Sequence, residues 1–203
     1  MVYAVGVPAD PADLRRALNA VAMGQAGYFT AAQALAVGYS YQAQKYHVDR
    51  GSWTRVDRGL FRIPDWPAHE DDVYVLWRLW SRGRAVVSHE SALTVHDLGN
   101  VNPARFHCTV PPGFRAHDPA VVLHFAVLPP DDVEEHAGYA VTTVERTFLD
   151  TAGSDLSQEQ LDLALAEALE RGLVSLRRLR SRSDEFGDRV ALRIERAIGA
   201  SRG

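Results

Sequence analysis

The first sixty residues combine short helical periods of apolar positions with well-placed capping residues. Three short helices are predicted, over residues 11–23, 31–38 and 41–50. Thr30 and Ser40 are good N-terminal caps for the second and third helix, since a hydroxyl oxygen can accept a hydrogen bond from a free backbone N–H. Gly38 closes the second helix and Gly51 follows the third, and glycine is suited to end a helix.

The stretch after the third helix changes to a period of two. In WTRVDRGLFRI, residues 53–63, side chains alternate around the turn Asp57-Arg58-Gly59, which predicts a β-hairpin. Two short helices joined by a glycine-containing turn and followed by a hairpin form a winged helix-turn-helix, whose second helix enters the major groove of DNA. We therefore predict a DNA-binding domain over residues 1–64.

A second domain is predicted over residues 68–203, beyond the break at Pro64 and Pro67. Three extended runs, RFHCTVP, AVVLHFAVL and YAVTT, predict a small antiparallel sheet, and most of the remainder has helical periodicity. The predicted fold class is thus α+β and mostly helical. It has an N-terminal winged helix-turn-helix and a C-terminal domain with a small antiparallel sheet and several helices.

Charge is distributed unevenly along the chain. Seven basic and four acidic residues give residues 1–63 a net charge of +3, although the whole chain carries −4. The only lysine, Lys45, and four arginines lie between residues 40 and 63. A basic amino-terminal part on an acidic chain is expected if that part meets a polyanion.

The predicted third helix and hairpin carry the candidate DNA contacts. Helical spacing places Ala43, Tyr46 or His47, and Arg50 on the inward face, and leaves Tyr41, Gln42, Lys45 and Asp49 outward. Glutamine can pair with adenine, lysine can reach guanine acceptors, and a serine-capped helix start can hold a phosphate. The predicted DNA contacts are Ser40, Tyr41, Gln42, Lys45, Arg55, Arg58 and Arg62. The alternative is a solvated face of a small helical domain that binds protein.

The predicted second domain contains three motifs with candidate chemistry. TTVERTFLD, residues 142–150, predicts a capping box of Thr142 and Glu145 and an i,i+4 pair of Arg146 with Asp150, or else a polar site. SLRRLRSR predicts an exposed basic helix face, a docking surface for an acidic protein or a second DNA contact. Its arginines are Arg177, Arg178, Arg180 and Arg182.

The third motif is Ser88-His89-Glu90-Ser91. A hydroxyl, an imidazole and a carboxylate lie together in sequence, but adjacent residues do not face each other on a helix, so Ser88 is predicted to be an N-cap. His89 and His96 could share a helical face, yet no third ligand lies at a recognisable spacing. We therefore predict no catalytic residue, no metal and no cofactor.

Several functional classes lack their sequence signature. The chain has no phosphate-binding loop, dinucleotide fingerprint, kinase catalytic loop or nucleophile elbow. Cys108, the single cysteine, allows no disulfide within the chain and is expected to be a buried strand residue. No apolar run is long enough to span a membrane and the N-terminus does not resemble a signal peptide, so a cytoplasmic protein is expected.

The order of these motifs resembles AbiEi-type antitoxins, the partners of AbiEii nucleotidyltransferase toxins in type IV toxin-antitoxin systems of abortive infection. The resemblance is carried by the winged part ending in Arg58-Gly59-Leu60-Phe61, by VVSHESALTVHDLG and FHCTVPPG, and by YAVTTVERTFLDTA. The last of these resembles the family signature T-x-x-R-T-hydrophobic-hydrophobic-D. Related longer proteins carry a nuclease-like domain, which we do not expect in this chain.

The resemblance implies an antitoxin that neutralises its toxin and represses its own operon by binding inverted repeats in promoter DNA. Because one winged unit makes few phosphate contacts, we expect a homodimer on paired half-sites. Residues 68–203 would be the antitoxin and oligomerisation domain. Arg146, Asp150, Arg177, Arg178 and Arg180 are the candidate partner-binding residues. Two alternatives stay open: an atypical protein kinase that modifies the toxin covalently, and a transcriptional regulator that senses a ligand.

Overall fold

The computed structural model of the chain describes residues 10–201. The chain divides into two compact units, of which the first ends at Gly83 and the second begins at Arg84. The predicted functional division between residues 64 and 68 lies within the first unit and stays a prediction.

The first unit combines four helices with a small sheet. Its described elements are α1 (Pro11–Met23), β1 (Tyr28–Thr30), α2 (Ala31–Val37), α3 (Tyr41–Asp49), β2 (Thr54–Asp57), β3 (Leu60–Arg62) and α4 (Asp72–Trp80). The strands form an antiparallel sheet in the order β1-β3-β2. The three predicted helices and the hairpin are confirmed to within about one residue at the helix ends.

Local hydrogen bonds explain why α2 and α3 begin and end where they do. The Thr30 hydroxyl accepts from the Gln33 N–H at 3.2 Å and the Gln33 side chain accepts from the Thr30 N–H at 2.8 Å, a complete capping box. Gly38 ends α2 with φ +119°, a conformation that favours glycine, and a Cβ there would lie 2.9 Å from Leu14 Cδ2. The turn between the two helices is therefore fixed by its sequence.

An aromatic cluster holds α3 and the hairpin on one core. The rings of Phe29 and Trp53 meet edge to face with centroids 4.8 Å apart, and His47 stacks on Trp53 at the same distance. Tyr39 and Phe61 complete the cluster. Because His47 lies on α3 and Phe61 on β3, this packing fixes the helix relative to the hairpin.

The inward face of α3 differs from the predicted one. Gln44 is 3% exposed, and its amide donates to the carbonyls of Ala31 and Tyr39 at 3.2 and 3.1 Å. Of the pair Tyr46 or His47, His47 is the inward residue, whereas Tyr46 and the predicted Arg50 are exposed, with the Arg50 guanidinium 5.2 Å from the Tyr46 ring centroid. The prediction was wrong for Arg50 and missed Gln44, because a polar side chain with two buried acceptors can occupy a core position.

The second unit places helices against a five-stranded sheet. Its elements are β4 (Val86–Val87), α5 (His89–Val95), β5 (Phe106–Val110), β6 (Val121–Phe125), β7 (Val133–Glu135), β8 (Ala140–Thr142), α6 (Val144–Gly153), α7 (Gln158–Glu170), α8 (Leu176–Ser183) and α9 (Asp188–Ala200). The buried core joins residues of α5 to α9, with Phe148, Leu165 and Ile194 among its fully buried members. The α+β class is confirmed.

The second sheet is mixed, which corrects the predicted antiparallel sheet. Its strand order is β6-β5-β4-β8-β7. β5 pairs in parallel with β6, and β4 in parallel with β8, whereas the β4–β5 and β7–β8 pairs are antiparallel. An alternation of apolar and polar residues identifies a strand but not the direction of its partner. Strands β4 and β7 are too short to show such an alternation, so they were not predicted.

Two predicted caps are also corrected. Thr143, not Thr142, caps α6 by accepting from the Arg146 N–H at 3.3 Å, whereas the Thr142 hydroxyl bonds that of Thr147 at 2.7 Å. Ser88 precedes α5 but makes no side-chain cap. Among residues 10–201, no helix is long and apolar enough to cross a bilayer.

Candidate nucleic-acid interface

Helix α3 presents an exposed polar and aromatic face. Ser40 caps the helix by accepting from the Ala43 N–H at 3.2 Å. Tyr41 is 70% exposed, and Gln42 and Lys45 are exposed beside it. The ammonium group of Lys45 lies 2.5 Å from an Asp49 carboxylate oxygen, in an exposed pair that water and salt weaken.

The hairpin formed by β2 and β3 carries two exposed arginines. Arg55 lies on β2, and Arg58 lies in the two-residue turn with Gly59, whose φ of +73° favours glycine. The Arg58 N–H donates to the Asp57 carboxylate at 2.6 Å, which orders the turn. Among residues 10–201, neither Arg55 nor Arg58 has an acidic partner for its guanidinium. Both charges are therefore available to a ligand.

A groove of about 440 Å³ lies between α3 and the hairpin. Tyr41, Lys45, Arg55 and Arg58 all line it. The structure thus brings together four of the seven predicted DNA contacts around one concave surface with three basic groups. Phe61 and Gly59 also line it.

The remaining predicted contacts lie outside this groove. Ser40 lines a separate groove of about 460 Å³ on the other side of α3, together with Arg15 of α1. Gln42 is exposed on α3 but lines neither groove. Arg62 has protein partners: it forms an ion pair with Asp72, and its guanidinium lies 4.8 Å from the Tyr28 ring centroid.

The sequence interpretation did not single out two basic residues near this surface. Arg15 lies beside the capped start of α3. Arg82 lines a third groove, of about 640 Å³, which also contacts Tyr41 and Arg58. Arg15 could have been found from its position on the exposed face of the predicted first helix. Arg82 could not, because no local pattern relates the end of α4 to the hairpin turn.

In the second unit, Arg146 and Asp150 belong to a buried ionic network. The Arg146 Nε atom lies 2.8 Å from Asp150 Oδ1, and its Nη1 atom lies 3.0 Å from Asp132 Oδ2. Arg182 contacts the same Asp132 carboxylate at 2.7 Å, and the Phe186 ring lies against the Arg146 guanidinium. Burial raises the pKa of Asp150 to about 6, although Arg146 opposes this change.

The predicted basic face of α8 is partly neutralised within the second unit. Arg178 lies 3.2 Å from a Glu145 carboxylate oxygen, and Arg180 lies 2.5 Å from one of Glu195. Arg177 is exposed and has no acidic partner among the described residues 10–201. Of the predicted partner-binding arginines, Arg177 is thus the one whose charge is uncompensated in this part of the chain.

Three histidines and Glu90 cluster beside the strands β4, β5 and β6. His89 stacks on His124 with centroids 3.3 Å apart, and His107 Nδ1 lies 3.2 Å from His124 Nε2 and 2.7 Å from Glu90 Oε2. Burial and the neighbouring imidazoles lower the pKa of His89 to about 3 and that of His124 to about 4. Burial alone would raise the pKa of Glu90, but hydrogen bonds from His107 and Ser154 lower it to about 2.

This cluster shows an arrangement that the sequence did not predict. His89 has φ +54°, and this backbone turn brings its Nδ1 atom to 2.9 Å from the Ser88 hydroxyl, although the two residues are adjacent. The Ser88 hydroxyl also accepts from Thr109 at 2.8 Å. Over residues 10–201, no group of three or more histidine, cysteine or acidic side chains is arranged to hold a metal ion.

Comparison with known proteins gives a family match within the first unit. Residues 16–64 match a protein family described as transcriptional regulator, AbiEi antitoxin. No curated protein matches the chain. Among solved structures, the crystal structure of the RV2827C protein from Mycobacterium tuberculosis is similar, with 14% identity and a TM-score of 0.46 over 96% of this chain and 83% of that chain.

Proposed function

We propose that this chain, whose residues 16–64 match a family of AbiEi antitoxin transcriptional regulators, represses its own operon. It would bind promoter DNA with α3 and the β2–β3 hairpin. The observation that carries the proposal is the groove between these two elements, where Lys45, Arg55 and Arg58 converge. Three basic groups that converge on one groove form the electrostatic pattern typical of contact with a phosphate backbone.

The geometry suggests a role for each element. In the major groove, α3 would direct Tyr41, Gln42 and Lys45 at base edges, with Lys45 exchanging Asp49 for a phosphate or a guanine. Arg55 and Arg58 would contact the backbone or the minor groove beside it. The Ser40-capped start of α3 and Arg15 would hold a phosphate on the other side of the helix.

Arg62 has a different role in this proposal. Because its guanidinium already contacts Asp72 and Tyr28, Arg62 would position the hairpin and would not neutralise a phosphate. The salt dependence of binding distinguishes the two roles, since each phosphate contact contributes to the slope and a positioning residue does not.

The DNA-binding proposal predicts the effect of removing single charges. Lys45→Ala and Arg58→Ala are each expected to weaken binding to the operon's promoter by about tenfold, and to reduce the slope of log affinity against log salt by about one. Fluorescence anisotropy on promoter DNA at several salt concentrations measures both quantities.

Two variants serve as controls for this titration. Arg177→Ala removes an exposed arginine of the second unit and is expected to leave affinity and slope unchanged, because the proposal gives Arg177 no role on DNA. Arg62→Ala is expected to lower the stability of the first unit without changing the slope. Unchanged binding by both Lys45→Ala and Arg58→Ala would refute the proposed interface.

We assign toxin neutralisation to the second unit. A nucleotidyltransferase toxin is implied by the AbiEi resemblance, and the DNA-binding groove lies wholly within residues 1–83. Among the predicted partner-binding residues, Arg177 and Arg178 are exposed, whereas Arg146 and Asp150 are buried and would act by shaping the surface above them.

Separate sites for DNA and toxin predict that the two activities can be separated. The double variant Lys45→Ala/Arg58→Ala is expected to lose promoter repression and still protect cells that express the toxin from an unrelated promoter. Colony counts and a promoter reporter in the same strain measure the two activities. Loss of protection in a folded double variant would contradict this assignment.

Two mechanisms of neutralisation differ in a measurable product. If the chain holds the toxin in a complex, the mass of the toxin is unchanged and the two proteins elute together. If the chain is instead an atypical kinase, incubation with ATP raises the toxin mass by one phosphoryl group. We favour the complex, since the described residues present no nucleotide-binding motif.

A further inference from the structure

The two edges of the second sheet differ in charge. The edge strand β7 carries Glu134 and Glu135, and charged edge residues oppose pairing with another strand. The opposite edge is β6, within the segment PAVVLHFAVLPP, residues 119–130, which contains no acidic residue, lysine or arginine. This second edge therefore has no charged residue of its own that would oppose pairing.

Large apolar side chains are exposed along the unprotected edge. Phe125, the last residue of β6, is 58% exposed, and Val127, two residues later, is 78% exposed. Such residues next to an open strand are typical of a surface that another strand covers.

Among residues 10–201, the outward backbone groups of β6 have no hydrogen-bond partner. Phe106 donates to the Ala120 carbonyl at 2.9 Å, and Ala126 donates to the Val110 carbonyl at 3.1 Å. Bonding alternates along a parallel strand, so the even-numbered residues of β6 face β5. The N–H and C=O groups of Leu123 and Phe125 therefore point away from the sheet.

We propose that β6 is a dimer interface, where it pairs antiparallel with β6 of a second copy of this chain about a two-fold axis at Leu123. Each Leu123 N–H donates to the carbonyl of the partner's Leu123. Phe125 faces the partner's Val121, so the exposed ring packs on an apolar strand.

Charge favours a second copy over another partner. An uncharged strand can pair with itself without repulsion, whereas β7 would place Glu134 and Glu135 against a second pair of glutamates. The remaining polar side chain, His124, faces the partner's Val122 and is held neutral near pH 7, because burial lowers its pKa to about 4. An edge with these properties is self-complementary, as a two-fold interface must be.

Sedimentation of the full chain without DNA or toxin tests the proposal, so the result does not depend on the proposed DNA binding. The wild-type chain is expected to be a dimer at micromolar concentration. Phe125→Asp is expected to raise the dimer dissociation constant at least about 100-fold, since each dimer loses two buried rings. Leu163→Asp is the matched control, because Leu163 is an exposed leucine of α7, and should leave the dimer intact.

Hydrogen exchange of individual amides shows whether β6 itself is the interface. The Leu123 and Phe125 amides are expected to be protected in the wild-type dimer and to exchange rapidly in Phe125→Asp. The Val122 and His124 amides, which face β5, should stay protected in both proteins and thus show that the variant is folded.

Three results would overturn the proposal. One is a wild-type chain that sediments as a monomer at all concentrations up to about 100 µM. Another is a dimer that Phe125→Asp does not weaken, which would place the interface elsewhere. The third is protection of the Leu123 amide that requires the toxin, which would make β6 a toxin-binding edge.

Discussion

Replacing Arg146 with alanine is expected to lower the free energy of unfolding of the second unit by about 3 kcal/mol or more. The substitution leaves Asp150 buried without its cation and removes one of the two arginines that contact Asp132. Removal of one partner from a buried ion pair costs more than the pair itself contributes, because the other charge stays desolvated. The raised pKa of Asp150 limits this cost, since the lone carboxyl can take up a proton.

The distribution of tryptophan permits a specific measurement. All four tryptophans, Trp53, Trp66, Trp77 and Trp80, lie before residue 84. Their fluorescence follows the first unit, whereas far-ultraviolet circular dichroism follows the helices of both. In urea, Arg146→Ala is expected to shift the circular dichroism transition of the second unit and leave the fluorescence transition in place.

Arg177→Ala is the matched control for Arg146→Ala. Both substitutions remove an arginine from a helix of the second unit, but Arg177 is exposed and has no acidic partner among the described residues. Its loss is expected to change stability by less than about 0.5 kcal/mol. If Arg146→Ala changed stability no more than this control, the network would not support the fold.

The second unit is also expected to lose about 3 kcal/mol of stability between pH 7 and pH 5. Burial lowers the pKa of His89 to about 3 and that of His124 to about 4, whereas both titrate near 6.5 in the unfolded chain. Below pH 6.5 the unfolded state binds more protons, so each histidine costs about 1.4 kcal/mol per pH unit. Asp150, whose pKa is raised to about 6, offsets part of this loss below pH 6.

Urea unfolding at pH 7 and pH 5, followed by circular dichroism, tests the pH dependence. His124→Gln removes one of the two depressed histidines and is expected to reduce the loss by about half to two thirds, since each histidine loses about 2 kcal/mol over this range before the offset of Asp150. His117→Gln, at an exposed position, should leave the pH dependence unchanged. Equal stability of the wild-type second unit at the two pH values would contradict the depressed pKa values.

The sequence predicted the first unit well because its signals are local. Thr30 and Ser40 bond backbone groups within three residues, and Gly38 adopts the backbone angle that the turn requires. The inward face of α3 was predicted less well, since the burial of Gln44 depends on the carbonyls of Ala31 and Tyr39, which neighbouring elements supply. Local pattern therefore located the helix but not all of its contacts.

The candidate site and the second unit depend more on contacts distant in sequence. Four predicted DNA contacts line one groove, but the ion pair of Arg62 with Asp72 joins the hairpin to a helix beyond the predicted domain boundary. Arg146 and Asp150 were correctly paired as neighbours on α6, yet their burial follows from Asp132 and Arg182, which no local pattern relates to them. The parallel pairing of β5 with β6 was not predicted for the same reason, since no local pattern relates the two strands.

The single lysine of the chain has a practical consequence. Lys45 is exposed on the surface of α3 that is proposed to meet DNA, and apart from the N-terminus it carries the only primary amine. An amine-reactive dye would therefore attach at one side chain, and acetylation of that amine would remove the positive charge of α3 without a mutation. Promoter DNA should protect this amine from acylation, so the reaction rate of one group reports occupancy of the interface.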